Sequence, residues 1–400
     1  MEMVEASDTL RLSAKLQKSG TYFLGAGIVG AILCVVLAFQ NRHDFLASYL
    51  TAFCFFLALS LGSLFFVMVQ QLARSAWSVS VRRIAETLAF NVLILAVLFI
   101  PLALSVHDIF TWTDAHVRAT DHLVIIKSAY LNLPFLYIRL IAYFAVWVGL
   151  AWYFLNTSRR QDQNRDASLT QKMGRTAAGG LALYALAQTF FAFDWIMSLD
   201  PHWFSTMFGV YFFAGTVVAQ YCMLILISAW LKKTGHLKTS VNTEHYHDLG
   251  KLLFGHNVFW TYIAFGQFVL IWYANIPEET AFFHHRAVGS WKTISLMLPW
   301  CHFAIPFLFL MSHNVKRRLA ALCFGALWLL VMCFIDIYWM IQPNFHPAGA
   351  HFGLTDVAAL LAIGGFCSWF FLRNLGRASL IPEGDPRLEL CLSYDNGIPK

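Results

Sequence analysis

Ten stretches of about 20 mostly apolar residues decide what this chain can fold into, because each is long enough to cross a bilayer as a helix. They fall at 22–39, 49–71, 84–105, 130–155, 176–198, 205–231, 254–274, 291–312, 319–341 and 353–373. Barrel strands need only about ten alternating residues, so runs this long predict helices. Composition points the same way: 58% of residues are apolar and 12% charged, where soluble domains carry roughly 25% charged residues. The predicted fold class is an all-α integral membrane protein with ten transmembrane helices. The leading residues MEMVEASDTLRLSAKLQKSG are charged and lack a small-residue cleavage site after a short apolar core. The first run is therefore expected to stay as an anchor.

Lysines and arginines alternate in density along the segments outside the runs. The N-terminal tail, the C-terminal tail and the segments after runs 2, 4, 6 and 8 hold 22 of them; the other segments hold 4. By the positive-inside rule both termini are expected in the cytoplasm. The net charge of +6 then reflects topology, and no nucleic-acid partner is expected. The eight cysteines stand singly, with no CxxC and no CxxCH, which suits small core residues better than cluster or haem attachment.

A repeat links the runs. Asp194 lies seven residues before Pro201, and Asp336 seven before Pro343. Lys127 lies seven residues before Pro134, and Lys292 seven before Pro299. Gly62 and Gly215 each stand 13 residues before a Ser-Ala-Trp triplet, and Asn-Val pairs at 91–92 and 257–258 precede the lysines by 36 and 35 residues. The order of these matches predicts that runs 2–5 are duplicated as runs 6–9. Four is an even number, so the copies point the same way, as a parallel repeat about an axis along the membrane normal. The expected organisation is a tail and first helix (1–48), a first four-helix bundle (49–204), a second (205–352), and a last helix with its tail (353–400).

Ionisable groups inside a membrane are costly and tend to mark pathways. Asp194 lies about four residues, roughly 6 Å, inside the outer boundary of its run, and Asp336 holds the same place in the second bundle. Lys127 and Lys292 stand at the outer starts of the helices just before. Each bundle thus offers one acid and one base on its outer side. Two readings are open: a polar site for protons or a quinol headgroup, or a Lys–Asp clamp between helix ends with a snorkelling lysine. Asp200, directly before Pro201, is expected to cap the next helix. Arg139 and His302 lie deep in their runs. A guanidinium there should find an acid, with Asp194 or Glu86 as candidates, and a histidine there could relay protons or sit satisfied in the core. Glu86, Asp248, His256 and Asn257 are candidates for proton entry from the cytoplasmic side, although as residues at run edges they would by default be ordinary solvated groups. With only His302 clearly mid-run, a bis-histidine haem is disfavoured. The clusters HYH (245–247) and HH (284–285) are weak metal signals.

FDWIMSLDPHWFSTMFGVYFFAG, HDLGKLLFGHNVFWTYIAFGQFVLIWYANIPEE and the tail IPEGDPRLELCLSYDNG resemble the NrfD/polysulfide-reductase membrane-subunit family, and within it the second such subunit of alternative complex III. The resemblance covers nearly the whole chain. It implies the bacterial inner membrane and a respiratory quinol:electron-acceptor oxidoreductase. It also implies partners: a second NrfD-like subunit, haem c subunits, an iron–sulfur subunit, surrounding lipid and, as a further candidate, a terminal oxidase. Haem c and iron–sulfur clusters are then expected in those partners and none in this chain, with quinol as its one candidate ligand and no redox activity expected from it alone. The rival readings are a secondary transporter, which parallel repeats also permit, and a scaffold in which the polar groups only fix helices.

Overall fold

A computed structural model describes residues 10–395 as helices joined by short loops, with no strand among them. Ten long helices form the body: α1 (Ala14–Gln40), α2 (Arg42–Leu72), α3 (Val79–Leu104), α4 (Leu133–Asn164), α5 (Ala167–Leu199), α6 (Phe208–Lys233), α7 (Thr243–Ala274), α8 (Gly289–Met311), α9 (Leu319–Asn344) and α10 (Leu354–Leu375). All but α7 are long and apolar enough to cross a membrane, nine among the described residues. α7 is not short: 32 residues at about 1.5 Å each span about 48 Å. Its composition sets it apart, since Asn257, Thr261 and Gln267 and the amphipathic rings of Trp260, Tyr262, Trp272 and Tyr273 dilute the aliphatic residues.

The helices start where the sequence offers caps. The side chains of Asn41, Asn132, Asp166 and Asn242 each accept a main-chain N–H of the helix that follows, satisfying donors the first turn leaves free. Arg165, in the left-handed region at φ 52°, closes α4 and lets α5 begin two residues later. Several helices run well past the apolar stretches: α4, α5 and α7 carry polar turns beyond them at one end. α8 is the irregular one. Pro299 and Pro306 remove two main-chain donors, and residues Leu298–Ala304 relax into a π-helical turn, a common accompaniment of functional sites.

α2 is the most buried helix and the centre of the molecule. It packs on α3 and α5, and α4 closes that group by packing on α3 and α5. α6 packs on α7 and α9, and α8 closes the second group against α7 and α9. The groups meet along α2 and α6, where a Cβ on Gly62 would lie 2.4 Å from the Thr216 carbonyl oxygen; only glycine permits this approach. α1 and α10 form a close pair of their own on the α2–α3 side. A Cβ on Gly30 would lie 2.4 Å from the Ala362 nitrogen, and one on Gly365 2.4 Å from the Gly27 nitrogen. Small residues let backbones touch where lipid gives no hydrophobic drive between helices.

Both described chain ends lie at one end of the bundle, the terminal end, where the Leu380 N–H donates to the Leu10 carbonyl over 2.7 Å. The tail from Gly376 then folds back across that end and carries a short helix, Leu388–Leu392. The far end holds the C-terminal turns of α5, α7 and α9, the start of α8 and the loops between them.

Candidate functional site at the far end

The two aspartates that share the Asp–Pro spacing are both buried, Asp194 at 0% and Asp336 at 1% exposure, but their surroundings differ. In the first bundle, α4 brings Arg139 and Tyr143 to Asp194 on α5. The Arg139 Nε and Nη2 donate to the Asp194 Oδ2 and Oδ1 at 2.8 and 2.9 Å, a bidentate fork. The Tyr143 hydroxyl donates to Oδ2 at 2.7 Å. The guanidinium is held further by the Tyr130 carbonyl at 3.1 Å and lies over the Tyr130 and Phe135 rings at 3.9 and 4.2 Å. Every oxygen of this carboxylate is engaged and its charge is neutralised.

In the second bundle no cation lies within ion-pair distance of Asp336 among the described residues. The Tyr211 hydroxyl on α6 makes a short hydrogen bond to Oδ1, and the Trp260 indole N–H on α7 donates to Oδ2 at 3.0 Å. Gly215 leaves room for the carboxylate, since a Cβ there would stand 3.6 Å from Oδ2. Trp260 also stacks on the His302 imidazole, with ring centroids 3.7 Å apart.

Beside Asp336 lies a cavity of about 710 Å3, lined by Tyr211 and Trp260, by Phe265, Phe268, Phe282, Phe283 and Trp339, and by α8 from Ser295 to Phe303. Its wall includes Phe265, Phe268 and Leu296, at 63, 41 and 58% exposure, so it borders the lipid-facing surface. Besides Tyr211 and the two indoles its polar lining is Thr261, which donates to the Asn257 carbonyl at 3.0 Å, and Gln267, Ser295 and Arg286. Gln267 is 7% exposed and its Oε1 has no hydrogen-bond partner. The Ser295 hydroxyl donates to the Arg286 carbonyl and accepts from the Trp339 indole, both at 2.7 Å. Arg286 is 2% exposed and lies in the α7–α8 connection. It donates to the carbonyls of Trp339, Phe282 and Met340 at 3.1, 2.9 and 2.9 Å, with the Phe282 ring 3.5 Å beneath it. No carboxylate among the described residues forms an ion pair with it. Burial pulls its guanidinium down to about 9, opposed by the charge of Asp200, so it stays a cation at neutral pH. A guanidinium has five N–H donors, and three are used.

The lysines do not pair with the aspartates. Lys127 sits in a separate short helix, His122–Lys127, and donates to the Pro201 carbonyl at 2.6 Å. Burial lowers its ammonium, with Asp200 and Asp121 opposing. Lys292 is exposed in the first turn of α8 and takes part in no ion pair among the described residues. The Lys–Asp clamp is therefore corrected to an Arg–Asp clamp in one bundle only. Arg139 reaches Asp194 from the second turn of α4, where its length matches the helix spacing. It faces the far end, where Asp194 and the Tyr130 carbonyl hold it.

His302, 0% exposed, sits in the π-helical turn. Its Nε2 lies 3.7 Å from the Cys333 sulfur, its Nδ1 has no partner, and the Asn257 amide donates to its carbonyl at 3.1 Å. An indole N–H donates only, so Trp260 offers no direct proton relay between Asp336 and His302. Asp200 does not cap α6, which starts at Phe208. Its Oδ1 accepts the His202 N–H at 3.1 Å, closing the Pro201–His202 turn, because the chain needs several extended residues to reach α6.

At the terminal end Glu86 and Asp248 are not solvated, because the tail packs over them. Glu86 is 1% exposed and accepts from the Nε atoms of Arg82 and Arg83, both at 3.1 Å. Arg82 also pairs with Asp385 of the tail, and Arg83 with Asp162, each at 2.7 Å. Asp248, 6% exposed, pairs with Lys251 and accepts the Tyr394 hydroxyl. His256 is partly buried, with Nδ1 2.8 Å from the Leu252 carbonyl and its ring against Tyr221. In the HYH cluster, His245 contacts Asn242 and Cys391 while His247 packs on His313. No three His, Cys, Asp or Glu side chains converge in a metal-binding group among the described residues.

Sequence reasoning missed Tyr143, Tyr211, Trp260, Gln267 and Arg286. Arg286 left a trace: it is the one cation between runs 7 and 8, a segment the charge rule leaves almost bare. No model of a known protein family matches the chain, and a search of curated proteins gives no match.

Proposed function

We propose that the chain is an integral membrane subunit of a respiratory quinol:electron-acceptor oxidoreductase of the alternative complex III kind. On this reading all ten long helices cross a bacterial inner membrane, α7 included. α2–α5 and α6–α9 are the parallel-repeat bundles, both termini are cytoplasmic, and the far end faces outwards. Oxidation of one quinol gives one quinone, two electrons and two protons. The electrons pass to haem c and iron–sulfur partner subunits, and the protons leave on the outer side.

The observation that carries the reading is the environment of Asp336. A buried carboxyl held by a hydroxyl and an indole, with no cation beside it among the described residues, can gain or lose a proton without stranding a partner charge, and it lies at the far end beside a lipid-bordering cavity. Asp194, locked by Arg139, supports a bracing role for the first bundle instead.

Purification from native membranes tests the assignment. Co-purification with haem c and iron–sulfur subunits supports it, whereas a stable lone protein that moves solute across vesicles would overturn it in favour of a transporter. In the assembled complex, Asp336→Asn should reduce quinol turnover or the proton yield per quinol; unchanged values would remove Asp336 from the proton role.

A further inference from the structure

We propose that the outward face of α3, between α4 and α10, holds one anionic phospholipid whose phosphate sits on Arg159 and Arg377 at the terminal end. The site lies away from the far-end cavity and stands whichever activity the chain has.

A balance of charge around the start of α3 carries the argument. The carboxylates there, Glu86, Asp162 and Asp385, are all taken by Arg82, Arg83 and Arg387. Arg159, Arg373 and Arg377 form no ion pair among the described residues, and Glu383, the next carboxylate along the tail, pairs with none of them. The Arg159 Nη2 donates to the Asn374 carbonyl at 2.7 Å, and the Arg377 Nη1 donates to the Asn374 side-chain oxygen at 3.3 Å. One asparagine thus holds two guanidiniums together, and like charges so placed repel unless an anion joins them. The Arg159 Nε is buried and has no hydrogen-bond partner, and a buried donor without an acceptor is costly. A phosphate supplies both the acceptor and the missing charge, in the geometry an arginine fork prefers.

The surface next to these cations selects a lipid over a free anion. α4 and α10 both pack on α3, and α3 leaves Leu93, Val97, Ile100 and Leu104 exposed, a helical stripe one face wide. Phe90, stacked on Phe370 of α10 with ring centroids 5.5 Å apart, joins the stripe to the arginines. From Phe90 to Leu104 the stripe runs about 21 Å at the usual helical rise, room for an acyl chain laid along it. Basic pockets between spans on the positive side of a membrane suit anionic head groups. A zwitterionic head would bring its own ammonium to a cluster that already has too many cations. An acidic protein or a free phosphate would meet the arginines and make no use of the stripe.

The test is native mass spectrometry of the full chain in dodecylmaltoside, titrated with dioleoyl phosphatidylglycerol or dioleoyl phosphatidylcholine. One phosphatidylglycerol should be retained tightly, and phosphatidylcholine at least about tenfold more weakly. Arg159→Gln and Arg377→Gln should each weaken phosphatidylglycerol by about tenfold or more, the worth of one hydrogen bond to a charged group. Lys233→Gln, which removes an exposed cation of α6 at the same end, should leave binding unchanged. Equal retention of the two lipids, or equal loss with Lys233→Gln and Arg377→Gln, would overturn the proposal. Displacement by excess inorganic phosphate or by polyglutamate as readily as by lipid would assign the arginines to a free anion or an acidic protein, and would also overturn it. If Arg159→Gln fails to fold, Arg377→Gln decides alone, since Arg377 is exposed: unchanged phosphatidylglycerol binding refutes the site.

Discussion

Replacing Arg139 with Met removes a guanidinium from a carboxylate that is 0% exposed and keeps most of the side chain's length. Asp194 would keep the Tyr143 hydroxyl but lose both charge-assisted bonds. Breaking a buried pair from one side costs about 3–5 kcal/mol, because the remaining charge is left uncompensated. Asp194→Asn should cost somewhat less, about 2–4 kcal/mol, since Arg139 keeps the Tyr130 carbonyl and two aromatic faces within the range seen for truncated charge pairs. The double variant Arg139→Met/Asp194→Leu removes both charges and should lie within about 1–2 kcal/mol of the parent. Reversible unfolding in mixed SDS–dodecylmaltoside micelles, followed by far-UV circular dichroism, gives the four corners of the cycle. A coupling of at least about 2 kcal/mol is expected. Single-variant losses under about 1 kcal/mol, the value for exposed pairs, would refute the view of this pair as a dry brace. The same assay on Asp336→Asn should show less than about 1.5 kcal/mol, because the amide oxygen can still accept one of the two neutral bonds.

The other predictions follow from the packing and the tail. Gly62→Ala should destabilise by about 1–3 kcal/mol through overpacking, because its Cβ would meet the Thr216 carbonyl at 2.4 Å; Gly149→Ala, with nothing within 4 Å, is the matched control and should not. Lys127→Met should change stability by no more than about 1 kcal/mol, since Lys127 binds a loop carbonyl and not Asp194; a loss as large as that of Arg139→Met would restore the lysine clamp. Burial alone would push the Asp385 carboxyl up, but Arg82 and Arg387 more than offset this and hold it well below the usual carboxylate range. A depressed folded value gives stability that is present above the unfolded value, near 4, and is lost as pH falls through it towards the folded one. Limited proteolysis of the tail should therefore be flat from about pH 8 to 5 and quicken only below about 4; quickening between 5 and 7 would contradict the pairing.

Helix positions were largely legible because a bilayer-length apolar run has few alternatives, and the Asp–Pro spacing located both buried acids correctly along their helices. What the spacing could not supply was direction around the helix axis. Lys127 stands just before an apolar run and Arg139 inside it, but the helix begins only at Leu133, so the arginine faces Asp194 and the lysine a loop. Tyr211 and Trp260 reach Asp336 from two other helices, a convergence set by packing and not by local sequence. The burial of Glu86 and Asp248 depends on a tail some 300 and 140 residues away, which composition reads only as a polar segment. α7 was legible as an apolar run, and the amides and rings that dilute it are the ones that build the site.

Matched acids in matched places would suggest matched roles, but charge compensation separates them. Loss of the Asp194 charge would leave Arg139 buried and unpaired, and the intact pair holds α4 to α5. At Asp336 the partners are neutral, the same change strands no cation, and the neighbouring space is open where the first bundle is filled by Tyr130 and Arg139. Of the two aspartates that share the Asp–Pro spacing, one is therefore braced by an arginine stacked on Tyr130 and the other, without such a pair, borders an open cavity. The two helix groups meet backbone to backbone where Gly62 on α2 approaches Thr216 on α6, the helix that carries Tyr211.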